Sequence, residues 1–535
     1  MHKKLFLAIL SGVLFSLAWT QMGLSWSLFV AFFPLLLIEE DIYRNKKNVK
    51  SIQAFYYAYI AFFTWNLIST WWVSNSTLGG GIAAVVLNSL WYALLFWLFH
   101  LIRRKRGTHT GYSALLFLWL AFESIYINGE ISWIWLVLGN GFANNTGLIQ
   151  WYEYTGSLGG SLWVLLFNIL LFKLYQNILK NKTLYGQYIF GLIVLFVFLF
   201  PIISSQVILN NYQEKEDAIS FSIVQPNIDP YHEKFAGMSE QQQLRKMFNL
   251  IESKGNPNAD FFILPETAIG NVMENKFYAS SGIRSINKFM RSYPNTSIVF
   301  GASTMYVFED GSSTETSRVF PPNPELNFDI YNSALQINNK NDIQKYHKSK
   351  LVIGVEMMPY PSLFNLVFNE NVINLGGLTS NHGTQKKRGV FTNSFNKAKV
   401  APVVCYESIY GEFVTGYMRE GANVIFIITN DAWWGDTPGY HQHLSFAKLR
   451  AIENRRSIVR CANTGISAII NQKGEIEKHT KYWVPDVLNG HVNLNSELSY
   501  FSRNGDFIGR IARFFSLLLL LSIVINPAGF KRNKK

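Results

Sequence analysis

Charge is scarce in this chain. Asp, Glu, Lys and Arg make up 16% of its 535 residues, against about 25% in a typical soluble protein, which argues against a purely soluble molecule. Cysteine is scarcer still, with only Cys405 and Cys461. A structural bridge between them would consume any reactive thiol, so none is expected. Heptads, internal repeats and low-complexity tracts are absent, which removes coiled-coil and repeat architectures. No small-residue cleavage site follows the first apolar run and a second run begins at once, so the first is read as a membrane span rather than a signal peptide.

Apolar and aromatic residues are plentiful, at 49% and 16%. Runs of spanning length lie near 5–23, 25–39, 52–73, 81–102, 112–128, 157–175 and 187–208, and an eighth near 508–526 follows a long polar stretch. The expected layout is an α-helical transmembrane bundle of about eight spans, with seven in 1–210 and a final one in 507–527, plus a separate domain over 217–497. The net charge of +13 would suit nucleic acid, but the basic excess sits in short clusters beside apolar runs, so no nucleic-acid partner is expected. Arg44, Lys46, Lys47 and Lys50 form one cluster, Arg103, Arg104, Lys105 and Arg106 another, and Lys173, Lys180 and Lys182 a third. Lys531, Arg532, Lys534 and Lys535 close the chain, whereas the alternate loops 73–80 and 129–156 hold no Lys or Arg. The positive-inside rule then puts both termini in the cytoplasm and the polar block on the opposite face. Trp65, Trp71 and Trp72 read as an interfacial belt. The 129–156 loop, with Trp133, Trp135, Trp151 and Tyr152, either anchors in the interface or lines a lipid-facing opening.

Within 217–497, short β-rich runs at 219–224, 261–264, 297–300, 332–337, 400–404, 424–428 and 467–470 alternate with amphipathic stretches, and 441–455 reads as a helix. Such alternation predicts an α/β layered domain. Three of its segments carry chemistry. Phe261-Phe-Ile-Leu-Pro-Glu-Thr267 puts Glu266 just past a buried strand. Tyr346-His-Lys-Ser-Lys-Leu-Val352 carries Lys348, with Glu356 shortly after. Ala401-Pro-Val-Val-Cys-Tyr-Glu407 delivers Cys405 to a turn. A carboxylate can take the thiol proton, and an ammonium lowers the thiol pKa and stabilises an oxyanion, so together they suit acyl transfer on cysteine with no metal and no cofactor. Lys345 and Lys350 compete with Lys348 for the lysine role. His441 and His443 lack an obvious third ligand and suit a helix N-terminus better than a metal. Cys461 reads as core, Trp433 and Trp434 as lipid contacts or packing, and Arg450 with Glu453 as a surface pair on a helix.

In that order and in those motifs, Glu266, Lys348 and Cys405 resemble the carbon–nitrogen hydrolase (nitrilase) superfamily. The flanks resemble its membrane-embedded branch, the bacterial apolipoprotein N-acyltransferases. The supporting stretches are Tyr331-Asn-Ser333, Thr429-Asn-Asp-Ala-Trp-Trp-Gly435, His441-Gln-His443, Ala447-Lys-Leu-Arg-Ala-Ile-Glu453 and Arg460-Cys-Ala-Asn-Thr-Gly465. The resemblance implies a nitrilase-like αββα sandwich with Cys405 as nucleophile, Glu266 as general base and Lys348 as oxyanion stabiliser. It implies a supporting role for Glu356, substrate handling by Tyr406 and Glu407, and a place near the site for Asn332. Phe235 falls where the family carries a tryptophan on an entrance loop, and Ile353-Gly-Val-Glu356 stands where it usually reads Pro-Phe-Gly-Glu. The implied partners are a phospholipid acyl donor and a diacylglyceryl apolipoprotein acceptor. The implied setting is a monomer in the bacterial inner membrane, with its catalytic domain on the periplasmic face. The rivals are a membrane-tethered amidase acting on a small amide, and a transporter or binding protein that has lost catalysis, for which Glu123 is the one acid well inside a span.

Overall fold

The computed structural model describes residues 2–180, 183–234, 237–338, 342–358, 360 and 381–525. Phe235 and the basic tail therefore lie outside the described residues. The chain forms two compact units. One comprises Met1–Trp71, Gly81–Asn210 and Asp506–Lys535, and the other Trp72–Gly80 and Asn211–Gly505.

The first unit is helical. Five of its helical segments are long and apolar enough, among the described residues, to cross a membrane: His2–Trp19, Leu78–Arg106, Thr108–Asn128, Ser157–Leu179 and Leu184–Asn211. Helices Ile52–Thr70 and Phe507–Ile525 occupy two further apolar runs. The run at 25–39 is not one helix. It divides into Leu28–Ala31 and Phe33–Arg44, with Pro34 in the first turn of the second piece, where a missing N–H costs nothing. The interfacial reading of Trp65 and Trp72 does not hold. Trp65 is buried against Phe15, Trp19 and Tyr92, with centroids 4.8, 5.2 and 5.4 Å away, and Trp72 packs in the second unit. The 129–156 loop folds into short turns in which Trp135, Leu136 and Leu138 are buried. Glu123 holds it, accepting from Leu138 N and Trp119 Nε1, each at 3.0 Å. An acid so engaged is a structural brace and offers no support to a transport path.

In the second unit, two mixed sheets carry the fold. The first runs Asp486–Asn493, Ala218–Gln225, Phe261–Ile263, Ser297–Phe308, Asn327–Ile337 and Arg318–Val319, with Ile269–Met273 beside Ser297–Phe308 and Ile343–His347 beside Asn327–Ile337. The second runs Ile476–His479, Ala468–Ile470, Ile458–Ala462, Val424–Thr429, Lys399–Val404 and Phe391–Thr392, and its three central strands are parallel. Strand alternation decides what each face meets. Phe262 and Leu264 join Leu244 and Met247 of helix Glu240–Lys254 and Ile283 and Ile286 of helix Ser281–Met290. Phe261 points the other way and meets Phe426 of the second sheet edge-on at 5.2 Å. Each such buried side chain contributes roughly 1.5–3 kcal/mol. Cys461 lies between the sheets as core, with Sγ 3.3 Å from Val224 O and 3.4 Å from Ile263 O. Helices Gly411–Arg419 and Pro438–Asn454 belong to the second sheet.

Candidate active site

Glu266 and Cys405 lie just beyond the C-terminal ends of strands Phe261–Ile263 and Lys399–Val404. Lys348 follows Ile343–His347, and its N–H donates to Asn332 O at 2.8 Å. Side chains from four segments close a small square. Lys348 Nζ donates to Glu266 Oε1 at 3.2 Å and to Glu356 Oε1 at 2.9 Å. Asn332 Nδ2 donates to the same two oxygens, at 2.8 and 2.9 Å. Glu356 Oε2 accepts from Val352 N at 2.8 Å. The variant sequence Ile353-Gly-Val-Glu356 makes this turn through Gly354 at φ +77°, a conformation glycine adopts without penalty.

The charges answer one another. Burial works against the Lys348 ammonium, but Glu266 and Glu356 outweigh it and hold it well above the usual lysine range. Burial likewise opposes ionisation of Glu356, yet Lys348 and the bonds from Asn332 and Val352 keep it below the usual carboxylate range. The Cys405 thiol is buried. That burial, and then the negative charge of Glu266, push its pKa up, while Lys348 pulls the other way. The resting group is therefore a thiol, within electrostatic reach of both an acid and an ammonium.

Cys405 has φ +50°, and so does Thr267 beside Glu266. Left-handed backbone is uncommon for non-glycine residues and strained for a β-branched one, and it concentrates at functional turns. Local bonds hold both turns. Thr267 Oγ1 accepts from Lys234 Nζ at 2.5 Å, and the same ammonium donates to Glu266 O at 3.2 Å. Burial lowers the Lys234 pKa to about 8. A Cβ at Gly301 would stand 2.4 Å from Thr267 N and 2.6 Å from Glu266 Cα, so the neighbouring strand must carry glycine there.

Beneath Cys405 lies a second buried network. Ser408 Oγ donates to Cys405 O at 2.7 Å, and His443 Nε2 is 3.0 Å from that hydroxyl and 3.3 Å from the same carbonyl. His443 Nδ1 is 3.0 Å from Asp431 Oδ1, and Arg460 Nη2 donates to Asp431 Oδ2 at 2.7 Å. Both His443 nitrogens are thus engaged inside the fold, and His441 sits in the first turns of helix Pro438–Asn454. The Asp431–Trp434 turn is fixed in its turn by the segment Trp72–Gly80. Trp72 meets Trp434 at 4.9 Å and lies against Gly439, and Asn75 Nδ2 donates to Trp434 O at 2.9 Å. Trp434 therefore packs against protein.

Two expectations change on burial. Arg450 and Glu453 are not a surface pair. Both are buried, with contacts of 2.9 Å from Nε to Oε2 and from Nη2 to Oε1, while Nη1 donates to Ile409 O at 2.8 Å, at the end of the Cys405 turn. Glu407 is wholly buried with both oxygens committed. Oε1 accepts from Tyr346 Oη at 2.6 Å and Ser349 N at 2.7 Å, and Oε2 accepts from Val404 N at 2.9 Å. Glu407 therefore ties the Lys348 segment to the Cys405 strand rather than facing a substrate. Tyr406 is mostly buried, 5.4 Å ring to ring from Tyr410. Lys345 pairs with Glu274 at 2.5 Å and takes no part in the square. Sequence reasoning missed the roles of Asp431, Arg460, Ser408 and Lys234. Asp431 alone carried a local signal, being two residues past a buried strand.

A thiol, an acid and an ammonium at the strand ends of two facing mixed sheets point to an enzyme class, and the family comparison agrees. Residues 222–499, just over half the chain, match the Carbon-nitrogen hydrolase model, and the chain belongs to that family. Residues 11–170 match the Apolipoprotein N-acyltransferase N-terminal domain, which together with full-length relatives places the chain in the apolipoprotein N-acyltransferase branch. Among those relatives, the Apolipoprotein N-acyltransferase of Chlorobaculum tepidum is 28% identical over 96% of this chain and 95% of its own. That of Geobacter metallireducens is 27% identical over 94% and 91%. Apolipoprotein N-acyltransferase 1 of Treponema denticola is 24% identical over 98% and 96%.

Proposed function

We propose that this chain takes an acyl group from a membrane phospholipid, carries it as a thioester on Cys405, and passes it to the α-amino group of the N-terminal diacylglyceryl-cysteine of an apolipoprotein. Glu266 accepts the Cys405 proton as the sulfur attacks the ester carbonyl. Lys348 faces the oxyanion that forms. The intermediate collapses, the lysophospholipid oxygen leaves with the proton from Glu266, and the thioester remains. The acceptor amine then attacks the thioester carbonyl and gives a proton to Glu266. The amide forms and the thiolate leaves, to be reprotonated by Glu266. Glu356 and Asn332 hold Lys348 and Glu266 in register throughout.

The observation that carries this reading is the single ammonium of Lys348 shared by Glu266 and Glu356, with the Cys405 thiol within reach of both charge signs. Both substrates are lipid-anchored, and the apolar helices of the first unit suit that need. We take the helices as eight spans, with both termini cytoplasmic and the catalytic unit on the periplasmic face of the inner membrane, the whole acting as a monomer. A small-amide hydrolase would have no use for such an anchor, and the full-length relatives favour the transferase.

The test is to incubate the membrane-embedded protein with phospholipid labelled in the acyl chain. Label should accumulate on Cys405 and leave on addition of a diacylated lipopeptide with a free amine. Equal labelling of Cys405→Ala would refute the scheme.

A further inference from the structure

Four cations have no part in the steps above: Lys350 and Arg388, which lie against residues just after the Cys405 turn, and the exposed Lys386 and Lys387 that precede Arg388 in sequence. Lys350 lies two residues past Lys348, with its Nζ 4.9 Å from the centre of the Tyr410 ring, which itself packs on Tyr406. The Arg388 guanidinium lies 3.6 Å from the centre of the Phe413 ring, and its stem lies against Gly416 on the same helix. The 385–388 segment is tied to the lysine segment. Ser349 Oγ donates to Gln385 O at 2.7 Å and His347 N donates to Gln385 Oε1 at 2.8 Å.

Among the described residues these cations form no ion pair. Two lysines of the neighbouring segment are paired, Lys345 with Glu274 and Lys348 with Glu266 and Glu356. Among the described residues, no carboxylate forms an ion pair with any of the four. Among the described residues the Arg388 guanidinium makes one hydrogen bond, from Nη1 to Lys386 O at 3.1 Å, and its buried Nε meets no acceptor. Lys350 and Arg388 are close enough to repel. Burial and then that repulsion lower the Lys350 pKa, and Glu407 beneath only partly offsets them. Half-buried like charges with unused donors are costly when empty and form a ready receptor for an anion. The planar fork of arginine suits the oxygens of a phosphate.

We propose that Lys350 and Arg388, reinforced by Lys386 and Lys387, form a subsite for the phosphate of the phospholipid donor. This rests on the acyl-transfer reading above and names what binds next to it. In a phospholipid only a glycerol backbone separates phosphate from acyl ester, so a phosphate held at this rim presents the ester toward Cys405. The subsite reads the phosphodiester that all such donors share, and leaves the rest of the headgroup unread.

The test uses the full chain in neutral detergent, with acylation of Cys405 followed by intact mass. Dioctanoyl phosphatidylglycerol is compared with dioctanoylglycerol, which has the same chains and no phosphate. K350Q/R388Q should raise the phospholipid concentration for half-maximal acylation about tenfold, the loss of roughly one charge-assisted hydrogen bond. The limiting rate and the whole dioctanoylglycerol curve should stay at wild type. Inorganic phosphate should compete with the phospholipid in wild type and not in the double variant. K386E/K387E, at exposed positions that tolerate change, should shift the phospholipid curve in the same direction and so keeps the test sound if K350Q/R388Q folds poorly. Equal shifts for both donors, or none for either, would overturn the subsite while leaving acyl transfer intact. A wild type that forms no thioester from either donor would overturn acyl transfer itself.

Discussion

Replacing Lys348 with methionine removes the cation that bridges two buried carboxylates, Glu266 and Glu356, and the structure says how stability should then depend on pH. In the parent chain Glu356 is held below its usual range. Its contribution is present above the unfolded value near 4.5 and is lost as pH falls through the lower folded value. Lys348 is held above its usual range. Its contribution is complete below the unfolded value near 10.5 and is lost only as pH rises through the higher folded one. From pH 5 to 8 both contributions are in place, so the cluster adds no slope. In Lys348→Met the oxygens of Glu266 and Glu356 face each other across Asn332 alone. Breaking a buried pair from one side costs about 3–5 kcal/mol, and proton uptake by one acid relieves it. Each pH unit over which that acid titrates is worth about 1.4 kcal/mol, so roughly 3 kcal/mol returns over two units of acidification. Relative to the parent, the variant should therefore gain stability from pH 8 to 5. Denaturant unfolding of the full chain in detergent at several pH values, followed by tryptophan fluorescence, reads this. A variant as stable as the parent at pH 8, or one whose deficit against the parent widens at pH 5, would refute the reasoning.

Cys405→Gly should be more stable than Cys405→Ala by about 1–2 kcal/mol in the same unfolding assay, because glycine accepts φ +50° without strain; equal midpoints would deny that strain. Alkylation of Cys405 by iodoacetamide should be slow at pH 7 and rise steadily with pH, since burial and Glu266 push the thiol pKa up. A plateau reached by pH 7 would contradict this. Gly301→Ala drives a Cβ into the backbone of Glu266 and Thr267. Overpacking there should cost about 1–3 kcal/mol, and displacement of the acid should lower thioester formation at least about tenfold; a wild-type acylation rate would show that the strand can yield. Glu407→Leu leaves Ser349 N, Val404 N and the Tyr346 hydroxyl without their acceptor. Each buried orphan costs about 1–3 kcal/mol, and the variant should lose both stability and acylation. Glu407→Gln should recover part of each.

The sequence alone determined where the apolar helices fall, because a run of spanning length needs no partner to be recognised. It also placed Glu266 and Cys405 past their strands, since period-2 burial and the break that follows are local properties. Lys348 was distinguished from Lys345 and Lys350 by motif register alone, and the tertiary structure supplied the physical ground: Lys345 turns to Glu274, Lys350 to Tyr410, and Lys348 to Glu266 and Glu356. Long-range burial decided the rest. Helical spacing cannot tell a solvent pair from a buried one, so Arg450 and Glu453 looked superficial until the packed helix enclosed them. A tryptophan at the end of an apolar run looks like a membrane anchor, and only the approach of Gly439 and Trp434 made Trp72 part of the catalytic unit. The link from Asp431 through His443 to the Cys405 carbonyl joins residues far apart in the chain. No local rule specifies such contacts, because they exist only once two sheets and a helix have fixed the donors and acceptors in one place.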